Sequence, residues 1–336
     1  MAKGIGIILV FYGHSIPFGN PLGHALVNWI YMFHMPLFYI ISGMCFNHQR
    51  WISEMPWSMF IIRRTRQLLL PLLAFTAFYI CFSAITGMNT YSYADFLLGK
   101  WPPAMWFIMS LFLAETAYYV IHRCLPSHPT STNILLIALL TPNVIIISYR
   151  NWGELLPFSF STLHISLFFF VVGQLARNYI MCIYNTWKRD CDNSRRKRID
   201  AALATVSAAM LLLLPMLFIL TCNDTLQCSA AHIPSPYHLS LPASLAGVAG
   251  VMLMSMFLDL YIHPTWMRRI LIFLGRNTLV ILAFHLTFFK LSHIYIKPLV
   301  GFDLGPIYTW LLLIPIIYVI NRWLPWLAGR PRIERN

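Results

Sequence analysis

Apolar runs of about membrane-crossing length recur along the whole chain, punctuated by Pro, Gly and charged residues. They predict helices near residues 4–20, 25–46, 67–86, 104–121, 133–149, 158–180, 200–221, 239–262, 270–291 and 305–327. The first of these is short, and the one at 133–149 is broken by Thr141, Pro142 and Asn143. About 20 apolar residues in a helix cross a bilayer core. The pattern therefore reads as all-α: a polytopic membrane protein of about ten transmembrane helices. No repeat or low-complexity tract interrupts it, so residues 1–336 are expected to form a single integral-membrane domain.

Composition agrees. The chain is 58% hydrophobic and 10% charged, against about 45–50% and about 25% in a soluble domain. Those values exclude a water-soluble globule and a disordered chain, and 7 Cys in 336 residues are too sparse for a disulfide scaffold. The net charge of +13 would suggest nucleic acid in a soluble protein. In a membrane protein it follows from basic residues gathering on the cytoplasmic side, and no nucleic-acid partner is expected. With the N-terminus in the cytoplasm, only Lys100, Arg150, Lys290 and Lys297 of the 24 Lys and Arg fall on the far side. Miscounting by one helix would scramble that asymmetry, so both termini are expected to be cytoplasmic. The first apolar stretch carries Lys3 and His14 and has no small-residue cleavage site, so the first span is expected to act as the insertion signal. The basic loop at 181–200 suits a topology determinant, or a site for anionic lipid or a phosphorylated ligand. Cys222 and Cys228, in the far-side segment, could pair in an oxidising compartment.

Ionisable groups inside spans are costly and mark candidate sites. His14, His34, His164, His285 and Glu115 qualify, whereas Asp259 and Arg322 lie near span ends and can snorkel. Lys3 and His14 are eleven residues apart, which on a helix puts them on one face about 16 Å apart. A cation at the entrance with an imidazole deeper in suits a long anionic carrier whose reactive end must reach a base. A snorkelling Lys and a structural His fit the spacing equally. His34 precedes Pro36, whose kink frees a backbone carbonyl better suited to a cavity than to lipid; Ser42 and Gly43 permit close helix approach. Arg63 and Arg66, three apart before Pro71, suit a phosphate or pyrophosphate, or serve topology alone. Asn277 is placed to cap the helix that leads to His285.

The segments K3-G-I-G-I-I-L-V-F-Y-G-H14, F33-H-M-P-L-F-Y-I-I-S-G43, R63-R-T-R66, M105-W-F-I-M-S-L-F-L-A-E115 and G275-R-N-T-L-V-I-L-A-F-H285, in this order, resemble the acyltransferase family 3 membrane proteins. The nearest branch in appearance is the fucose 4-O-acetylase-like sugar O-acetyltransferases. The resemblance runs from the first helix to the ninth. It implies an enzyme that takes acetyl from cytoplasmic acetyl-CoA and places it on a sugar hydroxyl of a surface or lipid-linked glycan. It also implies a multi-pass protein of a bacterial inner membrane, with acetyl-CoA as substrate, no tightly bound cofactor and no metal. Lys3 and His14 match the family's basic-x10-His pair, Arg63 and Arg66 its donor-associated RxxR, His34 its second-helix motif and Trp106 a Trp of its fourth-helix segment. Relatives usually carry an acidic residue a few positions before that Lys, and here only two residues precede Lys3. On this reading His14 is the general base, His34 orients it, binds the acceptor or relays a proton, and Lys3, Arg63 and Arg66 hold CoA phosphates. Trp106, Glu115, Asn277 and His285 are further pocket candidates. The rival class is a transporter or flippase for a lipid-linked saccharide or small anion, in which buried ionisable groups are equally expected.

Overall fold

The computed structural model describes residues 1–15, 21–87, 91–125, 128–149, 157–190, 194–222, 224–230, 232–261, 265–301 and 304–330. Arg150, Arg332 and Arg335 of the charge count lie outside the described residues, as do the side chains at 194–197 in the basic loop. The main helices are α1 (Ala2–Ser15), α2 (Pro21–Cys45), α3 (Trp57–Thr86), α4 (Trp106–Cys124), α5 (Pro129–Tyr149) and α6 (Leu163–Asp190). They continue as α7 (Ser194–Cys222), α8 (Tyr237–Tyr261), α9 (Thr265–Arg276), α10 (Thr278–Leu291) and α11 (Gly305–Trp323). Among the described residues the only β-pairing is an isolated bridge between Gln227 and His232. The chain is an all-α polytopic membrane protein.

Eight helices are long and apolar enough to cross a bilayer. Of the ten expected segments, α1 and α4 are the two outside that set. Helix α1 has 14 residues, about 21 Å of rise against a hydrocarbon core about 30 Å thick. Helix α4 carries Glu115, His122 and Arg123 within its 19 residues. Neither needs to be a lipid-facing rod. Helix α1 is ringed by α2, α8, α9, α10 and α11, and Gly4 to Ile7, Val10, Phe11 and Gly13 are buried there.

Helix α2 is the spine: Met32 to Ile41 are buried without a break. Two reciprocal glycines let α2 and α6 cross in backbone contact. A Cβ at Gly43 would collide with the Phe170 carbonyl, and one at Gly173 with the Ile40 carbonyl. Small residues are what permit such crossings where lipid provides no hydrophobic drive.

Three local expectations change. The segment at 133–149 is one continuous helix through Pro142, with side-chain bonds on either side of it: Thr141 Oγ1 donates to the Ile137 carbonyl and Asn143 Nδ2 to the Leu139 carbonyl. The segment at 270–291 is two helices, divided at Asn277, because α9 is an amphipathic piece with Arg268, Arg269 and Arg276 that packs on α1. Cys222 and Cys228 are both free. Cys222 ends α7, whereas Cys228 turns into the protein, where burial pushes its thiol pKa up and keeps it protonated.

Candidate active site

Helix α1 carries one candidate group at each end, and each end meets a separate cavity. At the His14 end a cavity of about 550 Å³ is lined by His14, His24, Asn28, Tyr31, His34 and Trp106 with apolar neighbours, and is closed on one side by Asp224 to Ser229. At the other end a cavity of about 320 Å³ is lined by Lys3, Arg64, Gln67 and Glu115. Because α1 is unbroken from Ala2 to Ser15, three helical turns fix the offset between the two sites at about 16 Å.

His14 sits in the last turn of α1 with its ring accessible from the cavity. Its Nδ1 is 3.1 Å from the Tyr31 hydroxyl, and its ring centroid is 5.3 Å from that of His285. Tyr31 in turn lies 5.0 Å from the His34 ring. Four rings from three helices thus meet in one cluster. Two have defined tautomers. His34 Nδ1 donates to the Ile30 carbonyl at 3.0 Å, and His285 Nδ1 to the Ile281 and Leu282 carbonyls at 2.9 and 3.1 Å. A carbonyl only accepts, so each Nδ1 carries the proton, and in the neutral ring Nε2 keeps its lone pair. The His285 Nε2 is buried without a partner.

The wall at Asp224 to Ser229 is tied to α2. Thr225 Oγ1 donates to the Asn28 carbonyl at 3.1 Å, and the Leu226 N–H meets the Met32 sulfur at 3.3 Å. Asp224 and His232 face each other at 3.0 Å across the small bridge. Trp106 enters as the first residue of α4, after a turn in which Ala104 takes a positive φ.

At the Lys3 end, Arg64 and Glu115 are 3.0 Å apart, Nε to Oε2, with side chains only 13% and 6% exposed. Both residues line the cavity, with these two atoms themselves buried. The guanidinium also lies 4.2 Å over the Trp51 ring and donates to Gln67 Oε1 at 3.0 Å. Arg63 and Arg66 are exposed. A π-helical turn at Thr65–Leu69 shifts the helix register at this point, and Arg64 is the cation of the run that lines the cavity.

Asn277 immediately precedes α10, but its side chain does not cap it. Its Nδ2 donates back to the Phe273 carbonyl, and its Oδ1 accepts from Asn321 and from Arg330. It joins the C-terminal turn to the helix break and lines neither cavity. His164 lies on α6 away from both, with Nε2 buried and unpartnered. Asp259 is held by Arg268 at 2.7 Å and by Tyr184 at 2.7 Å.

Sequence reasoning missed Tyr31, Arg64 and the Asp224 to Ser229 wall. Tyr31 had a usable signal, being one turn before His34 on the same face. So had Arg64, because the buried Glu115 requires a counter-charge.

These features gather ionisable and aromatic side chains at cavities within a bundle of membrane-crossing helices. A family model described as an acyltransferase domain matches residues 1–330, and the chain belongs to this family of membrane acyltransferases. No curated protein and no solved structure matches it. An acyl donor and an acceptor are therefore its substrates, and a transporter reading is set aside.

Proposed function

We propose that the protein is an O-acetyltransferase moving acetyl from cytoplasmic acetyl-CoA to a sugar hydroxyl on the opposite side of a bacterial inner membrane. One observation carries this reading: a single short helix presents a cation to one cavity and an imidazole to another. Arg64 and Lys3 hold the phosphates of the donor at the cytoplasmic mouth, with Arg63 and Arg66 adding positive potential at the surface. The acyl arm follows α1 toward His14.

The sugar sits among Tyr31, Trp106 and Asn28, aromatic faces and amides being suited to a neutral polyol. Where His14 Nδ1–H donates to the Tyr31 oxygen, Nε2 is free to accept the proton of the attacking hydroxyl. The hydroxyl oxygen forms the ester bond, the thioester C–S bond breaks, and the imidazolium returns its proton to the leaving thiolate. In that arrangement the Tyr31 O–H is free to donate to the developing oxyanion. His34 Nε2, an acceptor by its tautomer, orients a second sugar hydroxyl.

The test is acetyl-CoA turnover by purified protein in detergent with a methyl-glycoside panel as acceptors. His14→Ala is expected to abolish acceptor-stimulated release of CoA. Equal turnover by His14→Ala and wild type would remove His14 as the base.

A further inference from the structure

A third cavity, of about 370 Å³, also has His14 in its lining. Its lining includes His14, Ser15, Phe289, Lys290, His293 and Ile294. Lys290 and His293 are one turn apart, and Lys297 Nζ is 3.3 Å from His293 Nε2, so the imidazole accepts from the ammonium and keeps it in the group. No Asp or Glu lines this cavity among the described residues. The larger cavity has the opposite character: its described lining holds no Lys or Arg, and its one fully charged side chain is Asp224.

Two further facts bear on what the basic cavity takes. On the topology expected from the sequence, four Lys or Arg fall on this side of the membrane, and Lys290 and Lys297 are half of them. Cations there oppose the topological bias, so their clustering beside His14 calls for a ligand. The cavity also borders exposed apolar residues. Ile294 is 42% exposed, and Leu299 and Ile307 are 83% and 60% exposed on the adjoining surface.

We propose that Lys290, His293 and Lys297 bind the phosphate of a lipid carrier, so that the acceptor is a sugar presented on a long-chain lipid phosphate rather than a finished soluble glycan. The sugar enters the cavity lined by Tyr31 and Trp106, the phosphate is held in the basic cavity, and the carrier chain lies along Ile294, Leu299 and Ile307. His14, shared by both cavities, is thereby set beside the sugar closest to the phosphate. This rests on the function proposed above and names its acceptor class.

The experiment is equilibrium binding to purified protein in a neutral detergent, with a polyprenyl diphosphate, the matching polyprenol, phosphatidylglycerol and inorganic pyrophosphate as probes. The polyprenyl diphosphate is expected to bind most tightly. Lys290→Gln should weaken it at least about tenfold, the loss of one charge-assisted contact, while Lys290→Arg retains it. His293→Gln, which frees Lys297, should weaken it as well. Lys290 is an exposed side chain, so the substitution does not threaten folding. Equal binding in Lys290→Gln overturns the site. Phosphatidylglycerol binding as tightly, with the same dependence on Lys290, reduces it to a headgroup site, and pyrophosphate binding as tightly removes the carrier chain; either overturns the acceptor assignment. Thioester turnover does not enter this measurement, so it fails separately from the role given to His14.

Discussion

The Arg64–Glu115 pair allows stability and function to be pulled apart. Both side chains are nearly sequestered, and removing one member of a buried pair costs about 3–5 kcal/mol because the other charge is stranded. The two members are not equivalent. Without Glu115, Arg64 keeps Gln67 and the face of Trp51, the latter contact alone being worth about 0.5–2 kcal/mol. Without Arg64, Glu115 is left with Lys3 as the other cation lining its cavity. Arg64→Met is therefore expected near the upper end of that range, and Glu115→Leu near the lower. The double variant Arg64→Met/Glu115→Leu strands no charge and should return to within about 1 kcal/mol of wild type.

Denaturant titration in mixed micelles, followed by tryptophan fluorescence, measures all three. Destabilisation that simply adds in the double variant would refute the pairing argument. Donor binding gives the complementary readout. The double variant, though stable, should lose affinity for a CoA analogue, while Arg63→Met or Arg66→Met alone should lose far less, since those side chains lie on the exposed face. Wild-type affinity in the double variant would mean that the buried pair serves only the fold.

Two other outcomes follow from particular contacts. Tyr31→Phe removes the hydroxyl 3.1 Å from His14 and should lower turnover about 100- to 1000-fold, the worth of one oxyanion donor, with no change in melting temperature; an unchanged kcat would detach Tyr31 from the chemistry. Gly173→Ala places a methyl against the Ile40 carbonyl and should destabilise by about 1–3 kcal/mol through forced separation of α2 and α6. Unfolding midpoints indistinguishable from wild type would show that this crossing has slack.

The coarse architecture was legible because a membrane imposes a simple rule: any segment exposed to lipid must be apolar for a fixed length. Where α1 and α4 pack within the bundle, and where α9 is a short amphipathic piece, the rule loses its hold. The split at Asn277 illustrates this, since the apolar residues on both sides read as one run, yet α9 lies against α1 as an amphipathic piece. Arg64 was obscured for a different reason. Spacing arguments assume a regular helix, and the π-turn at Thr65–Leu69 breaks that regularity where the cations stand. The wall from Asp224 to Ser229 has no periodicity to read, and it becomes structure only by anchoring to the Asn28 carbonyl and the Met32 sulfur on a distant helix.

The shortness of α1 is itself part of the proposed chemistry. A rod of about 30 Å would set its terminal side chains at the two membrane surfaces, too far apart for one acyl carrier to serve both. At 14 residues α1 is shorter than the span of a bilayer core, and with other helices packed around it a separate cavity meets each of its ends. The low-dielectric barrier is thinned to the length of one helix of about 21 Å, and Gly4 lets α9 press its Leu271 carbonyl against that helix. This contact closes the α9-facing side of α1, so the proposed acyl arm follows another of its faces between two sites a fixed three turns apart. Under the proposed function the acyl group is carried across the bundle between these two sites as part of the transfer itself, without a transport cycle.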